Sequence, residues 1–271
     1  MRNKTYFQSR LPKSSDEKTI NNTSNLFTKY GREKEPRLML DYLKPRINDK
    51  ILCVGVGTGR EIENLRNYVD NQIYGVDISE GYLKYCQDKF GDSFNGFLCD
   101  IETENTSFSD NFFDKVVCLN VLPYFSIEGI NNFCNEISRI VQPGGKLFVF
   151  VLNSYYPFST MIQKQLLRSR LQQDSPIYFY RPLDMYIKAF NKHDFELTEF
   201  EGGDFYCDVN YWFFKSFFGG NFYSNSKFNK VWNLDYTNRK WINLLTNVME
   251  FGGKTRLKHY YRSVYLLLRK S

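Results

Sequence analysis

The chain has 271 residues, 42% of them hydrophobic and 24% charged, with a formal net charge of +6; this length buries a full sheet core and fits one large domain with an embellishment. Its six cysteines form no CxxC pair and only two histidines accompany them, so no metal site is expected. No apolar run approaches eighteen residues and the N-terminus lacks a signal-peptide core, so no membrane span is expected and a cytoplasmic location with reduced thiols follows.

Residues 1–25 are polar and read as partly mobile. Leu26 to Leu43 has helical apolar spacing, which Pro36 is expected to interrupt. Ile51 to Glu61 reads ILCVGVGTGRE, a short apolar strand running into Gly55, Gly57 and Gly59. Glycines there let the backbone turn sharply and let a bulky ligand approach the main chain, while the following helix presents free N–H groups. A second apolar run, Ile73 to Val76, ends in Asp77, placed where a carboxylate can accept hydrogen bonds from both ribose hydroxyls. Phe97-Leu98-Cys99-Asp100-Ile101 repeats the pattern of a strand ending in a carboxylate. Lys115 to Asn120 forms a fourth strand, followed by Val121-Leu122-Pro123-Tyr124-Phe125. Ile140 to Phe150 reads as a helix stop, a Pro-Gly-Gly turn and a fifth strand. Taken singly, Asp77 is as well explained as a helix N-cap ahead of Ser79, and Asp100 as a loop carboxylate. Five signals in order are harder to explain separately.

In that order the segments resemble class I S-adenosylmethionine-dependent methyltransferases, in particular the small-molecule branch; the likeness covers roughly residues 47–153, with a looser match at Tyr261 to Lys270. It implies an α/β fold, a doubly wound, mostly parallel seven-stranded sheet with an N-terminal helical lid, to which this sequence adds an aromatic-rich insertion before the last strand. By the same likeness, Gly55, Gly57 and Gly59 line the methionine and ribose part of S-adenosylmethionine and Asp77 holds the ribose. Asp100 accepts from the adenine amino group, Ile78 and Ile101 flank the ring, and Asn120 sits beside the methionine end. The glycine spacing is GxGxG, without the last glycine of the dinucleotide fingerprint.

Substrate choice is expected outside this core. The division is 1–46 for an N-terminal segment with the lid helix, and 47–271 for the methyltransferase domain with cap segments 155–181 and 202–258. Tyr30 on the lid and Tyr124 after the fourth strand are candidate acceptor contacts. Nine of the eighteen residues from Tyr206 to Tyr223 are aromatic, which makes Trp212 and Phe213 candidates for an acceptor wall; a plain cap or a homodimer interface explains them equally. His193 and His259 read as surface or turn residues, and no catalytic base is assigned. Methyl transfer needs little more than in-line positioning of the acceptor.

Charge leaves a second partner open. Residues 1–50 hold 12 Lys and Arg against 6 Asp and Glu, residues 51–226 hold 14 against 22, and residues 227–271 hold 10 against 2. Basic ends suit RNA or an anionic membrane surface, whereas solvated faces need no module or dense charge block, and neither is visible. The expected function is methylation of a small organic acceptor, aromatic or lipophilic. The alternatives are an RNA (tRNA) methyltransferase and a non-catalytic scaffold that binds the cofactor.

Overall fold

The computed structural model describes residues 2–10, 26–157, 159–172, 176–203, 259–261 and 263–271. Seven strands, β1 (Ile51–Val54), β2 (Ile73–Asp77), β3 (Phe94–Leu98), β4 (Phe113–Cys118), β5 (Val141–Leu152), β6 (Phe195–Gly202) and β7 (Ser263–Lys270), form one sheet in the order β3-β2-β1-β4-β5-β7-β6. The first five run parallel, and β7 lies antiparallel between β5 and β6. This is the doubly wound sheet expected from the sequence.

Every residue of β1 is buried, because the strand has parallel neighbours on both edges and helices over both faces. One apolar layer lies under α5 (Ile127–Ile140) and, after α6 (Ser159–Gln172), α7 (Leu183–Lys192), where Phe133, Ile137 and Phe190 meet Val116, Leu147 and Leu266. The opposite layer lies under α2 (Leu26–Leu43), α3 (Arg60–Leu65) and α4 (Glu80–Phe90), with Met39, Ile62 and Leu83 against Cys53, Val117 and Phe148. Cys53 and Cys118 are buried within their strands, as the pattern predicts, whereas Cys99 falls just beyond β3 and is half-buried.

Three local expectations change. Pro36 does not interrupt the helix: α2 continues through it to Leu43. The lost backbone bond is offset by tertiary anchoring, since Leu38, Met39 and Leu43 are buried, Lys34 pairs with Glu201 at 2.6 Å, and Glu35 pairs with Arg60. Pro143-Gly144-Gly145 is no separate turn but the irregular start of β5, marked by a register shift against β4 between Phe113 and Lys115. Residues 2–8, read as part of a polar and partly mobile segment, form the helix α1 (Arg2–Gln8). No helix among the described residues is long and apolar enough to cross a membrane.

Candidate functional site

Strand order reverses between β1 and β4, and in open α/β sheets a crevice forms at such a reversal, beyond the carboxyl ends of the strands. A cavity of about 350 Å³ occupies that place. Gly55 and Gly57 enter it from the end of β1, Asp77 and Ile78 from β2, Asp100 and Ile101 from beyond β3, and Asn120 from beyond β4. Seven residues chosen from sequence therefore converge on one space.

The three loop glycines all have positive φ, at 72, 48 and 76° for Gly55, Gly57 and Gly59, yet they serve different ends. A Cβ added at Gly57 meets no atom within 4 Å, so the main chain there borders open space in the cavity. At Gly59 the same atom falls 2.3 Å from the Phe90 ring and 3.1 Å from Cys86 Sγ. Gly59 does not line the cavity; it is the left-handed N-cap residue of α3, packed against α4. Its close approach is to the protein, not to a ligand site.

Asp77 is 9% exposed. Its Oδ2 accepts the Gly57 N–H at 3.1 Å and its Oδ1 accepts the Ser79 N–H at 2.9 Å. Burial raises its pKa above the ordinary 3.8, opposed by the N–H groups of Gly57, Ser79 and Ile78. The helix cap is Ser79, whose hydroxyl accepts the Tyr82 N–H at 3.3 Å, so capping does not account for Asp77. Asp100 is buried too, with Oδ2 taking the Thr103 hydroxyl at 2.9 Å and the Lys4 ammonium at 2.6 Å. Asn120 is exposed and holds φ 60°, a conformation uncommon outside glycine and one that collects at functional sites.

The cavity wall includes a part that sequence reasoning missed. Asn3, Lys4, Phe7 and Arg10 all line it. The Asn3 side chain donates to the carbonyls of Tyr124 at 3.0 Å and Ile177 at 2.7 Å, and accepts the Ile177 N–H at 2.8 Å. Phe7 meets the Tyr124 ring edge-on at 5.0 Å, beside Val121 and Phe125. At the other end of α1, the Ser79 hydroxyl donates to the Arg10 carbonyl at 2.7 Å, and the Arg10 Nε donates to the Tyr82 hydroxyl at 2.6 Å. Among the described residues, those of α1 line the cavity, whereas α2, expected as the lid, packs on β5 and α3 and contributes no described lining residue. The only hint in the sequence is the spacing of Asn3 and Phe7, which puts them on one face of a helix.

Tyr124 lies in the cavity wall as expected. From the predicted cap 155–181, the stretch at its end runs alongside, with the Phe179 N–H donating to the Pro123 carbonyl at 2.8 Å. The side chain of Tyr30 on α2, and Trp212 and Phe213, lie outside the described residues. Burial pushes the Cys99 thiol up to about 11, which keeps it protonated at neutral pH and unsuited as a nucleophile. Neither histidine reaches the cavity: His193 ends α7, with burial lowering its pKa, and His259 is exposed against the Phe200 ring.

Residues 52–149 match a family described as a methyltransferase domain. Among solved structures, the chain is similar to geranyl diphosphate C-methyltransferase from Streptomyces coelicolor, at 12% identity and a TM-score of 0.57, over 89% of this chain and 79% of that one. The cyclopropane synthase MmaA2 from Mycobacterium tuberculosis is similar at 14% identity and a TM-score of 0.59, over 88% and 84% of the two chains. The cyclase SpnF is similar at 15% identity and a TM-score of 0.53, over 88% and 80%. At such identities the likeness to these structures establishes the fold.

Proposed function

Because residues 52–149 form a methyltransferase domain of the class I, S-adenosylmethionine-dependent kind, we propose that this enzyme methylates a small lipophilic or aromatic acceptor lying against α1 and the segment after β4. The observation that carries this reading is the mixed lining of the cavity. Main chain and two buried carboxylates line it at the strand tips, and the apolar Phe7, Val121, Tyr124 and Phe125 line it as well.

The strand-tip side suits the cofactor. At Gly57 the main chain borders space that any side chain would fill, and the Asp77 carboxylate is fixed by two N–H groups with lone pairs left for two hydroxyls. Gly55, Gly57 and Asn120 would hold the methionine end, Asp77 the ribose, and Asp100 with Ile78 and Ile101 the adenine. When bound, the cofactor supplies an activated methyl group whose departure leaves a neutral thioether. The protein then has to place the acceptor in line with that methyl and keep water out. Phe7 and Tyr124 form a wall suited to a flat or apolar acceptor, and the clamp from Asn3 to Tyr124 and Ile177 holds the wall in place. Geranyl diphosphate C-methyltransferase, which shares the fold, was crystallised with an isoprenoid diphosphate, in keeping with a lipophilic acceptor.

A screen of labelled methyl transfer to lipophilic, aromatic and RNA acceptors tests the reading, with Tyr124→Ala as the paired variant. The expected result is turnover on a lipophilic or aromatic compound, cut about tenfold in kcat/KM by Tyr124→Ala while S-adenosylhomocysteine affinity stays within about twofold. Transfer only to RNA, or cofactor binding with no transfer to any acceptor, contradicts it.

A further inference from the structure

The carboxylate assigned to adenine recognition does not stand alone. Asp100 is followed by Glu102 and Glu104, so the tip of β3 gathers three acidic side chains, and two of them, Asp100 and Glu102, line the cavity. The cation that answers them comes from the opposite end of the sequence. Lys4 lies 2.6 Å from Asp100 Oδ2 and 3.9 Å from Glu104 Oε1. The lysine itself lines the cavity and is partly exposed, and Asp100 raises its pKa through their hydrogen bond, so it is fully charged near neutrality.

The contacts on Asp100 are one-sided. Lys4 and the Thr103 hydroxyl both fall on Oδ2, and among the described residues no group donates to Oδ1. A carboxylate held this way is fixed in rotation and presents one oxygen, with its lone pairs unused, from a wall of the cavity. Such an oxygen accepts an N–H donor and repels a ring nitrogen or carbonyl that brings only lone pairs. Without Lys4, the carboxylate loses the one counter-charge it has among the described residues and one of the two contacts that fix its orientation.

We propose that Lys4 is a specificity-determining positioning residue for the nucleoside: by fixing Asp100 through Oδ2 it reserves Oδ1 for the exocyclic amine of the purine, and so selects a 6-amino purine. This rests on the reading of the cavity as an S-adenosylmethionine site. It assigns Lys4 an effect transmitted through Asp100 rather than a simple share in covering the cavity. The two roles differ in what they do to a ligand that lacks the amine.

Calorimetric titration of the full chain, of Lys4→Met and of Thr103→Val separates them, using S-adenosylhomocysteine and its analogue with hydrogen in place of the 6-amino group. The unaltered protein is expected to prefer S-adenosylhomocysteine by about tenfold or more, since a site built around a donor rejects a ligand without one. Lys4→Met is expected to weaken S-adenosylhomocysteine about fivefold and the deaminated analogue less than twofold, shrinking the preference. Thr103→Val is expected to act in the same direction with smaller effect. Equal weakening of both ligands by Lys4→Met assigns Lys4 to covering alone and overturns the proposal, as does no weakening of either. Failure of the unaltered protein to bind S-adenosylhomocysteine contradicts instead the cofactor reading on which the proposal stands.

Discussion

The two sides of the cavity are built in different ways. The strand-tip side is local: Gly57 and Asp77 are 20 residues apart, Gly57 in the turn just after β1 and Asp77 the last residue of β2. The α1 side is distant: Asn3 bonds to residues 121 and 174 positions away. Where the chain's own turns make a site, the residue types at those turns record it. Where a site is closed by a helix arriving from far along the chain, the record is spread over isolated polar contacts with no spacing rule.

That difference decides what was legible. Asp77, Asp100 and Asn120 could be placed from sequence because each ends or follows an apolar run that forms a strand of the parallel sheet. Gly59 reads as part of the same ligand loop because, in one dimension, a glycine that admits a ligand and one that admits Phe90 look alike. Pro36 reads as a break because backbone chemistry argues for one, and only the pairing of Lys34 with Glu201 and of Glu35 with Arg60 shows what holds the helix through it. The role of α1 was missed for the reason that governs Asn3.

The contrast is broken most strongly at Asp77. Replacing Asp77 by Ala removes a charged acceptor from two expected ribose hydroxyls, and hydrogen bonds to charged groups contribute about 1.5–3 kcal/mol each, so S-adenosylhomocysteine affinity should fall by at least about tenfold. The same residue sets a pH dependence. Burial holds its pKa above 3.8 in the folded protein, so its contribution to folding is greatest below 3.8 and is lost as pH rises through the raised value. Ligand hydroxyls favour the ionised carboxylate, so cofactor affinity should fall as pH drops, starting above pH 3.8. Titrations across pH on the unaltered protein and Asp77→Asn test this: the acidic limb should flatten in the variant, and an unchanged limb assigns it to another group.

A smaller effect separates the glycines. Gly59→Ala forces a methyl into Phe90 at a left-handed backbone, and overpacking with backbone strain costs about 2–4 kcal/mol, so the melting temperature should drop steeply. Gly57→Ala meets no protein atom and pays only the backbone term, about 1–2 kcal/mol, while its methyl intrudes on the cavity. Cofactor affinity relative to melting temperature should therefore suffer more at Gly57 than at Gly59. Thermal melts with and without S-adenosylhomocysteine check this, and the reverse ranking would remove Gly57 from the site.

Whether the cavity at the strand reversal holds S-adenosylmethionine is tested most directly by competition between cofactor classes on the unaltered chain. In calorimetric titrations at neutral pH, S-adenosylmethionine and S-adenosylhomocysteine should each bind at one site per chain and NADH should give no heat of binding. Saturation by NADH with no response to S-adenosylhomocysteine would contradict the account.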